Sequence, residues 1–273
     1  MGSVCNMQKT KLMGILNVTP DSFYDQGEAF DTTKAIEKGL RMFDEGTDIL
    51  DIGGESSRPG ATPVSAEDEI LRVIPVISAL KSKIKIPISI DTIKPQVAKL
   101  AIEAGASIIN DVTGFMDIEM VELAKKTGIQ IVVMHMRGNP LNMQNNLHYE
   151  GGIVDEILNF FKERIAFLTA KGIKKEQIIL DPGIGFGKSV ADNLKIIHNL
   201  SRFKELGFAL LLGISRKSFM GKILNKTSSS LLPATLGLNS VAIMNAVDII
   251  RVHDIKEHRM LIDLMHNYME ETK

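Results

Sequence analysis

Residues 178–189, IILDPGIGFGKS, pose the question that decides the fold. An apolar run that reads as a strand stops at Asp181, passes into glycines and ends in Gly-Lys-Ser, as if to open a helix on a phosphate. A P-loop needs a further glycine five positions before Gly187. Pro182 stands there instead, with no backbone N–H and a fixed φ. The stretch is therefore a strand, a turn and a helix start of some other architecture, and its neighbours say which.

The same unit recurs along the chain. Apolar strand-like runs cover 12–18, 49–52, 87–90, 107–110, 129–134, 177–180, 209–214 and 248–252. Between them lie segments of helical period. DTTKAIEKGLRMFDEG opens on a capping candidate, Asp31, and stops at Gly46. The segment from Ser65 carries a capping pair, Ser65 with Asp68. GGIVDEILNFFKERIAFLTAKG aligns Ile153, Ile157, Phe160, Phe161, Ile165 and Leu168 in one stripe. VADNLKIIHNLSRFKELG reads as one helix, and LLPATLGLNSVAIMNA as the helix before the last strand. Eight strands alternating with eight helices imply parallel pairing. At this length they favour an α/β TIM (β/α)8 barrel over an open sheet. No low-complexity linker divides the chain, so residues 11–273 read as one domain behind a short tail, 1–10.

Composition narrows the function. The chain has 273 residues, 44% of them hydrophobic, 24% charged, with a net charge of −1. A near-neutral chain has no basic footprint for nucleic acid. No apolar run reaches the ~18 residues of a membrane span, and MGSVCNMQKT lacks the apolar region of a secretory signal. Cys5 is the only cysteine, which suits a reducing compartment. These features suit a cytoplasmic protein with neither nucleic-acid nor membrane partners.

In a parallel barrel every strand's C-terminal end reaches one face, where function gathers. The residues at these ends are Asn17, the GGESSRPGA block, Asp91, Asn110–Asp111, MHMRG, Asp181, SRK and RVHD. Asp91, Asn110 and Asp181 offer the acceptors and mixed amide groups that fit the edge of a planar heterocycle. Arg58, Lys217, Arg251 and His253 suit phosphate or carboxylate. Ser215 is placed to open a short helix toward an anion. The set predicts a ring bound at the floor and anions at the rim. Lys188 need not touch phosphate, and the two histidines of the last helix, His258 and His266, read as surface or interhelical groups.

The blocks GILNVTPDSF, DIGGESSRPGA, ISIDT, INDVTG, VVMHMRG, DPGIGFGK, GISRKSF and RVHD occur in this order and spacing. In them the chain resembles the dihydropteroate synthase family over nearly its whole length. The resemblance implies condensation of 6-hydroxymethyl-7,8-dihydropterin diphosphate with 4-aminobenzoate, releasing pyrophosphate, in folate biosynthesis. It implies a pterin site of Asp91, Asn110, Met134, Asp181 and Lys217. It implies diphosphate binding by Asn17, Ser57, Arg251 and His253, with Asn17 also holding Mg²⁺. The aminobenzoate pocket would comprise Phe23, Arg58, Pro59, Phe186 and Ser215. Asp91, Lys217, Arg251 and His253 carry the catalytic roles, sulfonamides would compete with aminobenzoate, and the enzyme would be a homodimer joined through late helices.

Ser57 replaces the threonine common at its position, and the first loop, SFYDQGEAF, departs from the family at Tyr24 and Gln26. Two rival readings share part of the site. A pterin-dependent methyltransferase barrel would use Asp91, Asn110 and Asp181 but not the rim set. A non-catalytic pterin-binding protein would need no complete catalytic set.

Overall fold

The computed structural model describes residues 9–19, 32–56, 61–138, 143, 147 and 149–272. Eight parallel strands close on themselves in sequence order, with β8 paired back to β1. They are β1 (Lys11–Asn17), β2 (Ile49–Gly53), β3 (Ile88–Asp91), β4 (Ile108–Asp111), β5 (Gln130–Met134), β6 (Ile178–Asp181), β7 (Ala209–Leu212) and β8 (Ile249–Val252). The TIM barrel read from the alternation is the architecture found. Asp91, Asp111 and Asp181 are the last residues of their strands rather than the first residues after them.

Strands of this kind are buried on both faces, so they read as continuous apolar runs. Alternate residues nevertheless divide between two cores. Met13, Ile49, Ile108, Val132, Ile179, Leu211 and Ile249 form a separate cluster that plugs the barrel. Residues one position away, such as Leu50, Ile109, Val133, Leu180 and Ile250, join the larger core beneath the helices.

The helices around the barrel are α1 (Thr32–Asp44), α2 (Ala66–Lys81), α3 (Pro95–Glu103), α4 (Ile118–Thr127), α5 (Ile153–Ala170), α6 (Val190–His198), α7 (Leu200–Lys204), α8 (Ser218–Leu224), α9 (Leu232–Met244) and α10 (Ile255–Glu271). Ser65 caps α2, its hydroxyl accepting the Asp68 N–H at 3.0 Å. The expected cap of α1, Asp31, lies outside the described residues. Two more helices occur among the described residues than the alternation predicts. The segment 190–204 breaks at Asn199, whose backbone leaves the helical region and whose side-chain amide folds back to the Lys195 carbonyl at 2.8 Å. α7 starts at the next residue, Leu200. The other addition, α8, is a two-turn helix after β7.

At the N-terminal end, the last residues of the expected tail are already anchored. Thr10 donates to the Val247 carbonyl at 2.8 Å, and Lys9 pairs with Asp263 at 2.7 Å. No described helix is long and apolar enough to cross a membrane.

The stripe on α5 is buried through Ile153, Ile157, Phe161 and Leu168. Phe161 stands edge-on to Phe203 of α7, with ring centroids 6.1 Å apart. Together with the fully buried Leu200, this contact seats the short α7 on the core. Truncating a fully buried phenylalanine removes its transfer energy and leaves a cavity. Phe161→Ala is expected to lower unfolding free energy by about 3–5 kcal/mol, measured by urea denaturation. A loss well under that would show that the α5–α7 seam is loosely packed.

Candidate active site

Side chains two residues beyond the plug share its inward face. The positions are Asp51 after Ile49, Asn110 after Ile108, Met134 after Val132, Asp181 after Ile179, Gly213 after Leu211 and Arg251 after Ile249. A polar layer therefore rests directly on a dry floor. Strand register sets neighbours within it: Asn17 lies beside Gly53, Gly53 beside Asp91, and Asp91 beside Asn110. On the opposite wall Met134 pairs with Asp181.

These side chains open into a cavity with about 340 Å³ of space including its mouth. Asp91, Asn110, Met134, Asp181 and Lys217 all line it, together with Phe186, Arg251 and the apolar Val112 and Ile184. All five positions expected for the ring thus meet in one place. Phe186, expected beside them, forms part of the wall. Asn17 ends β1, and Ser215 and His253 follow β7 and β8, outside the lining of this cavity. Phe23, Ser57, Arg58 and Pro59 lie outside the described residues, as do Tyr24 and Gln26.

Arg251 sits deeper than the rim position expected for it. It is the third residue of β8, and its guanidinium reaches across the barrel interior. Nε donates to Asp51 at 2.6 Å and an Nη donates to Asp91 at 2.7 Å. Asn110 donates to the same Asp51 oxygen at 3.1 Å. Asp51 is fully buried, and its other carboxylate oxygen has no hydrogen-bond partner among the described residues. The sequence reading missed Asp51 because it lies inside an apolar strand, not at its end. Its signal was the two-residue spacing from Ile49.

The electrostatics follow from burial. Desolvation pushes the Asp91 carboxyl up to about 7, against the pull of Arg251, which favours the anion. Desolvation also raises Asp181, opposed by the Gly183 N–H and by Lys217. It lowers the Lys217 ammonium to about 8, against the attraction of Asp181. Lys217 Nζ donates to the Ile184 carbonyl at 2.8 Å and lies 4.2 Å from the centre of the Phe186 ring. It thus joins the acidic floor to the aromatic wall.

The turn after β6 needs its glycine. Gly183 has φ +67°, and a Cβ there would lie 2.1 Å from the His135 carbonyl oxygen. The missing side chain lets the Gly183 N–H reach Asp181 Oδ1 at 2.8 Å.

Ser215 does not open a helix as expected. Lys217 occupies the N-cap position of α8, without a side-chain cap. The Ser215 hydroxyl instead bonds His253 Nδ1 at 2.9 Å and accepts the His253 backbone N–H at 3.2 Å. Between Ser215 and Lys217, Arg216 adopts φ +53°. Its guanidinium turns to Asp254, forming two bonds at 2.8 and 2.6 Å, and to the Ser229 carbonyl at 2.9 Å. This pairing fixes the β7 loop to the β8 loop. On the last helix His258 is fully buried, its Nδ1 2.6 Å from the Asp254 carbonyl, and His266 pairs with Glu270 at 3.2 Å.

Known proteins resemble this chain in sequence and in fold. A family model described as pterin binding enzyme matches residues 13–253. A dihydropteroate synthase of Clostridium beijerinckii is 46% identical over 253 residues, covering 92% of this chain and 91% of the relative. A crystal structure of the Yersinia pestis dihydropteroate synthase with a sulfonamide drug complex superposes with a TM-score of 0.91 at 38% identity, covering 98% of each chain. The Xanthomonas albilineans dihydropteroate synthase in complex with 7,8-dihydropteroate does so with a TM-score of 0.87 at 35% identity, covering 97% of this chain and 95% of that one.

Removing one member of a buried ion pair strands the other, at a cost of about 3–5 kcal/mol. Asp51→Ala is expected to lower unfolding free energy by about that amount. Asp51→Asn, which keeps an acceptor for Arg251, should cost less. Equal losses in the two variants, measured by urea denaturation, would show that packing rather than the carboxylate holds Arg251.

Proposed function

Because the chain belongs to the dihydropteroate synthases of the pterin-binding enzyme family, we infer that it condenses 6-hydroxymethyl-7,8-dihydropterin diphosphate with 4-aminobenzoate. The products are 7,8-dihydropteroate and pyrophosphate, in folate biosynthesis. The observation that carries this reading is the meeting of Asp91, Asn110, Met134, Asp181 and Lys217 in one cavity above a dry plug. An activity assay decides it: pyrophosphate release should require both substrates. Release with the pterin diphosphate alone would make the chain a hydrolase.

The pterin lies with its hydrogen-bonding edge toward Asp181. One carboxylate oxygen is held by Gly183, and the other receives the ring's amino and N–H groups. Asn110 and Lys217 flank the ring, while Met134 supplies an apolar face. Arg251 and His253 take the leaving diphosphate with Asn17 and Ser57. For Arg251, this uses the part of the guanidinium not engaged by Asp51 and Asp91. Phe186, Ser215, Phe23, Arg58 and Pro59 form the aminobenzoate pocket. Sulfonamides, which share the aminobenzoate shape, compete there.

The reaction is a dissociative displacement. The C–O bond between the pterin methylene and the diphosphate stretches first, and the electron pair leaves with the diphosphate. Positive charge grows on the methylene and ring, where the Asp91 carboxylate stabilises it. The aniline nitrogen then forms the C–N bond and releases a proton. Fixed charges act strongly here because the polar layer is closed beneath by the apolar plug.

Asn17 would hold Mg²⁺. A single carboxamide oxygen at the end of β1 fits an ion that keeps several waters and takes its remaining oxygens from phosphates. Bound Mg²⁺ would neutralise charge on the diphosphate. No cluster of three or more His, Cys, Asp or Glu suited to a metal occurs among the described residues, so the substrate's own oxygens would complete the shell.

The enzyme acts as a cytoplasmic homodimer joined through its last helices. Two features support that. Val241 and Met244 are exposed on α9, whose sequence is apolar around its circumference, and such a helix calls for burial. Met260, Leu264 and Tyr268 are exposed at four-residue intervals on α10, which packs on α9.

Asp181→Asn places a donor against the ring's N–H groups. It should weaken pterin binding by at least ~1–3 kcal/mol, the cost of one lost buried pairing. Unchanged pterin affinity by calorimetry would mean that the ring sits elsewhere.

The acid–base states give a second test. Asp91 is anionic only above about 7, and Lys217 is cationic only below about 8. As pH falls through the first value, Asp91 gains a proton and loses its hold on cationic charge. As pH rises through the second, Lys217 loses its own charge. The pH profile of kcat/KM is therefore bell-shaped between these limits. Lys217→Arg should remove the alkaline limb, because a guanidinium stays charged. An unmoved limb in that variant would assign it to another group.

A further inference from the structure

The ion triad beneath the cavity holds one positive and two negative groups, and the proposed reaction engages only two of them. Asp91 and Arg251 line the cavity, with side chains 16% and 20% exposed. Asp51 lies outside the lining and is fully buried. Both donors that reach it converge on one oxygen, Oδ2: Arg251 Nε at 2.6 Å and the Asn110 amide at 3.1 Å. Oδ1 is buried and has no hydrogen-bond partner among the described residues. A buried polar atom left unpaired calls for an explanation.

Holding the guanidinium and the amide in place does not itself need a carboxylate. An asparagine with its oxygen at the place of Oδ2 would accept the same two hydrogen bonds. It would lack only the charge. The geometry of Arg251 shows where that charge acts. The guanidinium gives Nε to the sealed carboxylate of Asp51 and Nη2, at 2.7 Å, to the Asp91 carboxylate that faces the cavity. One positive charge is thus divided between two anions, and the triad keeps a net negative charge. With Asp51 neutral, the guanidinium would be matched to Asp91 alone, and that pair would offer a ligand no net charge.

We propose that Asp51 is a positioning residue for the reaction, acting through Arg251 to leave Asp91 with negative charge for the positive charge that grows on the pterin methylene. The inference rests on the reading that Asp91 stabilises that charge. The effect falls on kcat, because the cation develops only as the C–O bond breaks, and an interaction made only then accelerates the chemical step. The same charge has a second signature. The charged groups around Asp91 are Arg251 on β8, Asp51 on β2, Glu69 on α2 and Asp111 on β4, with Lys217 after β7. Desolvation lifts the Asp91 carboxyl to about 7 against the pull of Arg251, and the Asp51 anion adds to that lift. Neutralising Asp51 removes a repulsion, so Asp91 then loses its proton at lower pH.

The test measures kcat, both KM values and the pH profile in four variants of the full chain: Asp51→Asn, Asp91→Asn, Arg251→Gln and the double variant D51N/R251Q. Asp51→Asn is expected to lower kcat about tenfold, less than the hundredfold or more lost with a directly contacting group. Both KM values should stay at the parent level, and the acid limb should move to lower pH. A purely structural carboxylate would move neither kcat nor the limb. If Asp91→Asn lowers kcat while Asp51→Asn leaves kcat and the limb unchanged, the proposal is overturned and the reading of Asp91 stands. If Asp91→Asn keeps the parent kcat, that reading fails and takes the proposal with it. Should Asp51→Asn fail to fold, the Arg251→Gln and D51N/R251Q pair decides. There, adding D51N is expected to lower the acid limb without a further loss of kcat, since the guanidinium is already gone. An unmoved limb, or a further tenfold loss of kcat, overturns the proposal.

Discussion

The guanidinium of Arg251, shared between Asp51 and Asp91 inside the barrel, constrains the rest of the site. A charge placed there has lost most of its water, so it persists only where partners are fixed in advance. Asp51 and Asp91 lie 200 and 160 residues away in sequence. Barrel closure is what brings them within reach: β8 pairs with β1, and β1 with β2. The ion triad therefore reports the closed barrel, and an open sheet with the same strands would strand Arg251. Asn110 donates into the same Asp51 oxygen. Orientation of this amide, which lines the cavity, is thereby linked to orientation of the arginine.

This linkage gives the cavity a division of charge. Asp51, Asp91 and Asp181 form an acidic arc, while Arg251 and Lys217 cross it. Burial works against every charged form, lifting the two lining carboxyls and depressing the lysine. The attraction of an opposite charge works against burial at Asp91, Asp181 and Lys217, and so a small change at one reaches its neighbours. A ligand with N–H donors on one edge and a leaving anion on the other meets both signs at once. The aromatic wall at Phe186 belongs to the same system, since the Lys217 ammonium that faces the acids also lies over that ring.

Much of this was legible from the sequence. Eight apolar runs, each ending in a polar group, give the barrel because parallel strands must be covered on both faces. Asp91, Asn110 and Asp181 could be read because a polar residue at a strand end breaks the apolar run visibly. Asp51 could not be read that way. It is enclosed by Leu50 and Ile52, which face the helices, and only the alternation from Ile49 marks it as an inward position. Arg216 was hidden for another reason: nothing about arginine forecasts a left-handed backbone, and that conformation follows from its tertiary pairing with Asp254. The break at Asn199 is likewise local, a single residue whose backbone leaves the helical region within an otherwise continuous helical pattern. Ser215 does not open the helix after β7: its hydroxyl is engaged with His253, and Lys217 takes the N-cap position.

The Gly-Lys-Ser of the opening stretch shows how the same residue types serve two purposes. In a phosphate loop the lysine must point at the ligand and the serine hydroxyl must remain available to a metal. Here Lys188 is buried, and its Nζ donates to the His135 and Phe186 carbonyls at 3.1 and 2.9 Å. Desolvation lowers its ammonium to about 7, opposed by Asp181. The Ser189 hydroxyl is committed as well: it caps α6 by accepting the Asp192 N–H at 3.1 Å, and it donates to the Asp192 carboxylate at 2.6 Å. Gly187 has φ +66°, and its carbonyl accepts the Tyr149 hydroxyl at 2.6 Å. The lysine and the serine that a phosphate loop would use are thus committed to the protein's own groups. The stretch fastens the loop after β6 to the loop after β5, and that fastening holds Asp181, Gly183 and Phe186 in place. The stretch serves the rigidity of the cavity wall, since Asp181, Gly183 and Phe186 all line the cavity.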